Sequence, residues 1–290
     1  MPTPPDPSNE HPSTYFMPDR SNEEELTRLQ LQDRMATLIL GGVLPEQDQP
    51  EHLQRILDVA CGTGGWLIEV AKAFPTISHL IGVDISKRLI DIARARAKEE
   101  QVDKRVEFFQ MDALRMLEFP AAYFDLVNQR FAMSYMRTWD WRKLLQEFQR
   151  VIRSTGIIRL TESDLTMSSS SPALLRLFQQ LAQALTQAGH LFAADEHGIA
   201  DHLMPLLQQY TRLQSVQTRV LELHYRAEET AGQLFAQNMH HAFHTALPFL
   251  QKWTQVPDDY EAIYQRMLYE TQQPDFTATV HTVTAWGTQA

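Results

Sequence analysis

Three aspartates, Asp58, Asp84 and Asp112, each close or nearly close a short apolar run, and a loop of small residues follows the first of them. Residues 56 to 66 read ILDVACGTGGW, with Gly62, Gly64 and Gly65 in four positions. A buried strand, such a loop and then a helix place backbone N–H groups and a positive helix end at the carboxyl edge of a sheet, where nucleotides bind in open α/β folds. Glycine lets that backbone approach a ligand closely. The acids narrow the ligand. Asp84 stands 20 residues past Gly64, where a carboxylate accepts from both ribose hydroxyls. Asp112 ends the next run, where it can accept from an adenine amino group. Asp58 would attract an ammonium or sulfonium and repel a diphosphate. Because ACGTGG, with Ala60 in the first glycine position, is also a degenerate dinucleotide fingerprint, an NAD(P)-dependent oxidoreductase stays open. It requires Asp58 to turn away from the loop, whereas three acids around one pocket suit a cationic adenosine ligand.

The elements that must position these residues follow from periodicity. A helix is predicted over 21–40, with Leu26, Leu29, Met35 and Leu38 at helical spacing and Gly41-Gly42 as its stop. Apolar runs at 55–60, 79–86, 106–114, 124–131 and 156–164 read as strands, and the segments at 65–74, 86–101 and 141–152 as helices. Strands separated by helices of this length imply right-handed crossovers and a parallel sheet covered on both faces. After Asp164 the pattern changes: SSSSP (168–172) reads as a linker, then helices follow at 172–189, 198–211, 229–253 and 258–272. Strands are predicted at 213–225 and 275–287. The predicted fold is α/β, a doubly wound, mostly parallel seven-stranded sheet with an antiparallel last strand and a helical cap. Residues 1–13 read as a disordered tail, 14–45 as N-terminal helices, 46–165 as the core, 166–274 as the cap with one core strand near 213–226, and 275–290 as the final strand.

Composition sets bounds on function. The chain has 290 residues, 43% of them hydrophobic, and a net charge of -10, which repels a phosphate backbone and argues against nucleic acid as partner. The single cysteine, Cys61, suits a reducing, cytoplasmic setting. No apolar stretch reaches the roughly 18 residues of a membrane span.

DVACGTG, VDIS, FFQMDAL and FDLV, in this order and spacing, resemble the class I S-adenosylmethionine-dependent methyltransferases, in the branch whose domain is like that of ubiquinone-biosynthesis enzymes. The resemblance implies a Rossmann-like core that binds S-adenosyl-L-methionine and releases S-adenosylhomocysteine. It implies Ala60, Gly62 and Gly64 against the methionine part, Asp58 on its amino group, Asp84 and Ile85 at the ribose, Asp112 and Ala113 near the adenine, and Asn128 beside the sulfonium. Tyr15 with Glu25, Arg28, Leu29 and Gln32 resembles the entry helix of small-molecule methyltransferases, which covers the cofactor, and YEAIYQRMLYETQQPDF with VTAWG resembles their C-terminal end. Two departures stand out: Ser154-Thr155-Gly156 replaces a proline-glycine-glycine turn, and Ala60 replaces a loop glycine.

Methyl transfer is an in-line displacement at a carbon already activated by positive sulfur, so positioning supplies most of the acceleration and the acceptor alone needs a base. His240 and His241, in NMHHAFHTALPF with His244, are the candidates for that base, against a reading as polar residues on an amphipathic helix. No metal is expected. His190, Asp195, Glu196 and His197 read as a polar loop rather than an orienting dyad. Phe131, after the fourth strand, is the candidate pocket wall, and Tyr15 a second substrate contact. Arg130 reads as half of an internal ion pair and Cys61 as packing. The expected partner is a largely apolar small-molecule acceptor methylated on O, N or C, with the entry helix and cap offering surfaces for subunit pairing. A sensor, or a cyclase using the cofactor as a fixed charge, would retain the same cofactor residues. An RNA or protein methyltransferase would need a basic groove or an added module, and neither is visible in the sequence.

Overall fold

The computed structural model describes residues 23–192 and 198–289. The predicted tail, Tyr15, Asp195, Glu196 and His197 lie outside them.

A seven-stranded sheet is built from β1 (Arg55–Val59), β2 (His79–Asp84), β3 (Val106–Gln110), β4 (Phe124–Arg130), β5 (Ile152–Ser169), β6 (Leu213–Arg226) and β7 (Thr277–Gln289). Their order is β3-β2-β1-β4-β5-β7-β6, with the first five parallel and β7 antiparallel to both of its neighbours. The strand order reverses between β1 and β4, the place where open α/β sheets leave a crevice for ligands.

Alternation decides which face each side chain covers. Ile56, Leu80, Phe108 and Leu126 pack under α2 (Gly65–Ala73) and α3 (Lys87–Glu99). Leu57, Ile81, Val83 and Val127 point the other way, onto α4 (Trp141–Val151) and α6 (Leu203–Tyr210). β5, β6 and β7 are more than twice as long as β1, and their overhang carries Leu165, Leu223, Tyr225 and Val280 into a second core. That core is closed by α5 (Pro172–Gln187), α7 (Thr230–Thr245), α8 (Leu247–Trp253) and α9 (Tyr260–Glu270). The cap is thus an extension of the sheet, and α1 (Glu23–Ile39) lies along α7. No helix among the described residues is long and apolar enough to cross a membrane.

Three local expectations are corrected. Ser168 and Ser169 belong to β5, paired with Thr279 and Ala278, because a serine run with a ladder partner is as good a strand as any polar edge. The helix expected over 229–253 breaks into α7 and α8 at Ala246, since Pro248 lacks the N–H that would continue it and sits instead in the first turn of α8. β3 stops at Gln110, so Asp112 lies in the following turn, where its Oδ1 accepts from the Leu114 amide at 2.9 Å.

Gly64 is required twice over: its φ is +74°, and a Cβ there would lie 2.5 Å from Cζ of the buried Phe108. Gly62, at φ +56°, has open space around it. Gly64→Ala should therefore lower unfolding free energy by about 2–4 kcal/mol, the left-handed backbone adding to overpacking. Gly62→Ala should cost only about 1–2 kcal/mol. Urea unfolding of both, with Phe108→Leu added to Gly64→Ala to recover part of the loss, checks the ranking.

Candidate active site

One row of the sheet is polar. Asp58 in β1 is in register with Asn128 in β4, and Asn128 with Arg159 in β5, so their side chains lie side by side on one face. The Asn128 Nδ2 donates to Asp58 Oδ1 at 2.7 Å, and Arg159 Nη1 donates to Asn128 Oδ1 at 2.8 Å. Arg159 Nε donates to Glu46 Oε1 at 2.7 Å, with both side chains 1% exposed. An arginine only donates and an ionised carboxylate only accepts, so the Asn128 amide has one orientation that satisfies both neighbours. The row ends at Asp58, 3% exposed and on the cavity wall. Burial pushes its carboxyl up to about 7, against the charges of Arg130 and Arg159 and the Asn128 bond, which favour its ionised form.

The loop after β1 is wound by left-handed residues: Ala60 at φ +56°, Gly62 at +56° and Gly64 at +74°. Ala60 adopts a backbone that favours glycine, which explains why a glycine is the usual occupant of its position. Asp84, at the end of β2, clamps the loop by accepting from the Gly62 amide at 3.1 Å through Oδ2, while Oδ1 accepts from the Ser86 amide at 2.8 Å. Ile85, Asp112 and Ala113 continue the same wall. Burial and the nearby Asp84, Asp58 and Asp33 carboxylates push the Cys61 thiol up, so it is packing and not a nucleophile.

These residues form one end of a cavity of about 640 Å³. Its roof is the inner face of α1, where Arg28 holds Glu25 through Nε at 2.7 Å and Nη2 at 2.8 Å and reaches Gln32 at 3.1 Å. Asp33, one residue on, accepts from Arg130 Nη2 at 2.9 Å, the internal ion pair expected for that arginine. Phe131 follows at φ +57°, a strained conformation for a bulky residue, and lines the cavity as expected. The other end is apolar, walled by Leu165, Phe178, Leu223, Tyr225, Phe235 and Phe243 from the sheet overhang and cap.

The structure separates several expected site residues from the cavity. Asn128 is fully buried behind Asp58 and does not line it, because its amide is consumed by the polar row. Gly64 caps α2 and packs on Phe108, leaving Ala60, Cys61, Gly62 and Thr63 as the lining loop residues. His240 and His241 do not line the cavity either. The His241 Nδ1 lies 2.9 Å from Glu24 Oε1, and the His244 Nδ1 2.7 Å from Glu24 Oε2, while the His240 ring stacks on His241 at 5.0 Å. His241 and His244, three residues apart on α7, latch it to α1 through Glu24. His190 is buried with Nδ1 2.9 Å from the Met133 carbonyl, and burial lowers it to about 4, so it stays neutral.

Sequence reasoning missed Glu46 and Arg159, whose partnership spans 113 positions. An arginine inside an otherwise apolar strand, GIIRL, was the available signal. It also missed Glu162 and Asn238 on the cavity wall. Glu162 is 1% exposed, accepts from the Ala132 amide through Oε1, and burial pushes it up to about 8.

Two buried acids with raised values give stability a definite pH dependence. The Asp58 group ionises at 3.8 when unfolded and near 7 when folded, so its stabilising share is full below 3.8 and lost as pH rises to about 7. Glu162 acts likewise between 4.5 and about 8. Asp58→Asn should flatten the fall in unfolding free energy up to about 7 and leave the part above it, as read by urea unfolding across this range.

With this geometry in view, a family profile described as a methyltransferase domain matches residues 56–156. Over 108 residues the chain is 33% identical to demethylmenaquinone methyltransferase of Lactococcus lactis, covering 37% of this chain and 41% of that one. Over 175 residues it is 30% identical to the N-methyltransferase verN of Clonostachys rogersoniana, covering 58% of each. The chain therefore spans about half the length of the curated relatives it matches. Among solved structures, the YcgJ protein of Bacillus subtilis superposes with a TM-score of 0.51 at 18% identity, over 81% of this chain and 92% of the other, a likeness of fold. The loop, the strand ends and the sheet order agree with these matches: residues 56–156 are similar to a methyltransferase domain and lie in a Rossmann-like sheet.

Proposed function

We propose that this chain transfers a methyl group from S-adenosyl-L-methionine to a small, largely apolar molecule. One observation carries the reading: a single cavity joins a glycine loop ringed by Asp58, Asp84 and Asp112 to an apolar chamber under the cap. The residues fit the cofactor on their own chemistry. Asp84 is held on the cavity wall by the Gly62 and Ser86 amides, and a carboxylate there is an acceptor for ribose hydroxyls. Asp112 and Ala113 would hold the adenine, with Ile85 against the ribose. Asp58, buried and pushed up to about 7, gains most from a neighbouring ammonium, which favours its charged form. A diphosphate laid on the same loop would instead face Asp58 and Asp84, which disfavours a dinucleotide.

The bound cofactor supplies a methyl group on positively charged sulfur. The protein's own part is to hold and orient. Ala60 and Gly62 shape the floor, Phe131 walls the junction between the two ends of the cavity, and the inner face of α1 roofs it against water. The reaction is then driven by alignment of the acceptor with the methyl carbon. The acceptor is a small molecule in this reading, because the chamber is enclosed by apolar side chains and the net charge of -10 disfavours nucleic acid. The cytoplasm is its setting, on the strength of one buried, unpaired cysteine.

The test is calorimetric titration with S-adenosylhomocysteine. Wild type should bind it, and Asp84→Ala should weaken binding by at least about 10-fold, the value of one charge-assisted hydrogen bond. Equal binding by both proteins, or displacement of the ligand by NADH, would contradict the proposal.

A further inference from the structure

The cavity wall includes two buried side-chain oxygens that nothing among the described residues satisfies. Glu162, on β5, is 1% exposed; its Oε1 accepts from the Ala132 amide, and its Oε2 has no hydrogen-bond partner among the described residues. The Met133 amide and Gln129 side chain lie by the same carboxyl and favour its charged form, without bringing a donor to Oε2 in hydrogen-bond geometry. Asn238, on α7, is 4% exposed, and its Oδ1 is likewise without a partner. Both residues line the cavity, amid Leu165, Phe178, Tyr225 and Phe243. A buried unsatisfied acceptor costs about 1–3 kcal/mol. Two of them on the wall of one apolar chamber are best accounted for by a ligand that donates to both.

The Glu162 carboxyl is also held in place. The left-handed turn at Phe131, whose own amide donates to the Thr161 carbonyl at 2.8 Å, aims the next amide, that of Ala132, at Glu162. One oxygen is thereby anchored by backbone, and the other has no hydrogen-bond partner among the described residues.

Resting on the methyltransferase reading, we infer that Glu162 is the base that takes the proton of a phenolic or enolic hydroxyl on the acceptor, while Asn238 accepts from a second donor on the same apolar molecule. As the oxygen–carbon bond forms, the carbon–sulfur bond of the methylsulfonium donor breaks with its electron pair going to sulfur. The hydroxyl proton passes to Glu162 Oε2, and the O–H bonding pair stays on the acceptor oxygen. The proton returns to water as the methyl ether leaves. Burial that pushes Glu162 up to about 8 brings its basicity close to that of a phenol, which ionises near 10, and far from that of an alkanol. The other titratable groups around it are not suited to the task. Burial and the Glu162 and Asp84 charges push the Tyr135 phenol well up, His190 is neutral and engaged with Met133, and Asp164 is committed to the Thr166 amide through Oδ1.

The test uses 2-naphthol and its methyl ether as probes, titrated into protein saturated with S-adenosylhomocysteine. Wild type should prefer the naphthol by about 10-fold, one hydrogen bond to a charged or polarised acceptor. Glu162→Gln keeps the bond from Ala132 but turns an N–H toward the probe, and should abolish the preference while leaving S-adenosylhomocysteine affinity unchanged. Glu162→Asp should restore part of it, and the preference of wild type should rise as pH passes about 8. Should Glu162→Gln fail to fold, Asn238→Leu takes its place, with weakened affinity expected for 2,6-dihydroxynaphthalene, whose second hydroxyl serves Oδ1, and none for 2-naphthol. A preference that survives Glu162→Gln, or no binding of the naphthol by wild type that does bind S-adenosylhomocysteine, overturns the inference alone. Failure of wild type to bind S-adenosylhomocysteine overturns the methyltransferase reading with it.

Discussion

The buried row Glu46–Arg159–Asn128–Asp58 is the constraint on which the site depends. Charges inside a sheet are costly unless each is paired and hydrogen-bonded. Here the cost is offset by a chain in which every member has a partner of the right polarity. Three of the four residues sit in register on adjacent strands, so the sheet itself sets their spacing. The result is a carboxyl group aimed at the carboxyl edge of β1 with its proton finely balanced. Asp58 is too buried to be charged cheaply and too close to Arg130 and Arg159 to be firmly neutral. A cation arriving in the cavity would tip that balance, which is the basis of the proposed preference for an amino acid end over a phosphate.

Around this row the fold divides labour. The short parallel strands carry the loop and its acids, while the overhang of β5, β6 and β7 carries the chamber. α1 joins the two ends: Asp33 grips Arg130 at the cofactor end and Glu24 grips His241 and His244 of the cap. α1 therefore bridges the two ends of the cavity.

Much of this was legible in the sequence. The strand ends at Asp58 and Asp84, the glycine loop, the parallel core and the late antiparallel strand are local patterns of period and punctuation, and each stands where it was expected. Phe131 was legible because a bulky residue after a strand that ends in the crevice has few other places to go. What the sequence withheld is pairwise and distant. Asn128 looked like a cofactor ligand because nothing nearby in the chain reveals Arg159 or Glu46. The histidines at 240 and 241 read as polar residues of an amphipathic helix, with a base as the alternative, because the partner of His241, Glu24, is more than 200 positions away. Glu162 was hidden in GIIRLTESD, which read simply as the fifth strand, and Glu162, Ser163 and Asp164 of that run line the cavity.

The central claim is that Asp58 meets the positive end of the ligand, and proton counting tests it most directly. Titration of S-adenosylhomocysteine at neutral pH, in buffers that differ in ionisation enthalpy, reports the protons exchanged on binding. The account predicts net release, because a neighbouring ammonium ionises a carboxyl that is otherwise near half-protonated, and loss of that release in Asp58→Asn. Binding with no proton release from wild type, or with the same release from Asp58→Asn, would contradict it.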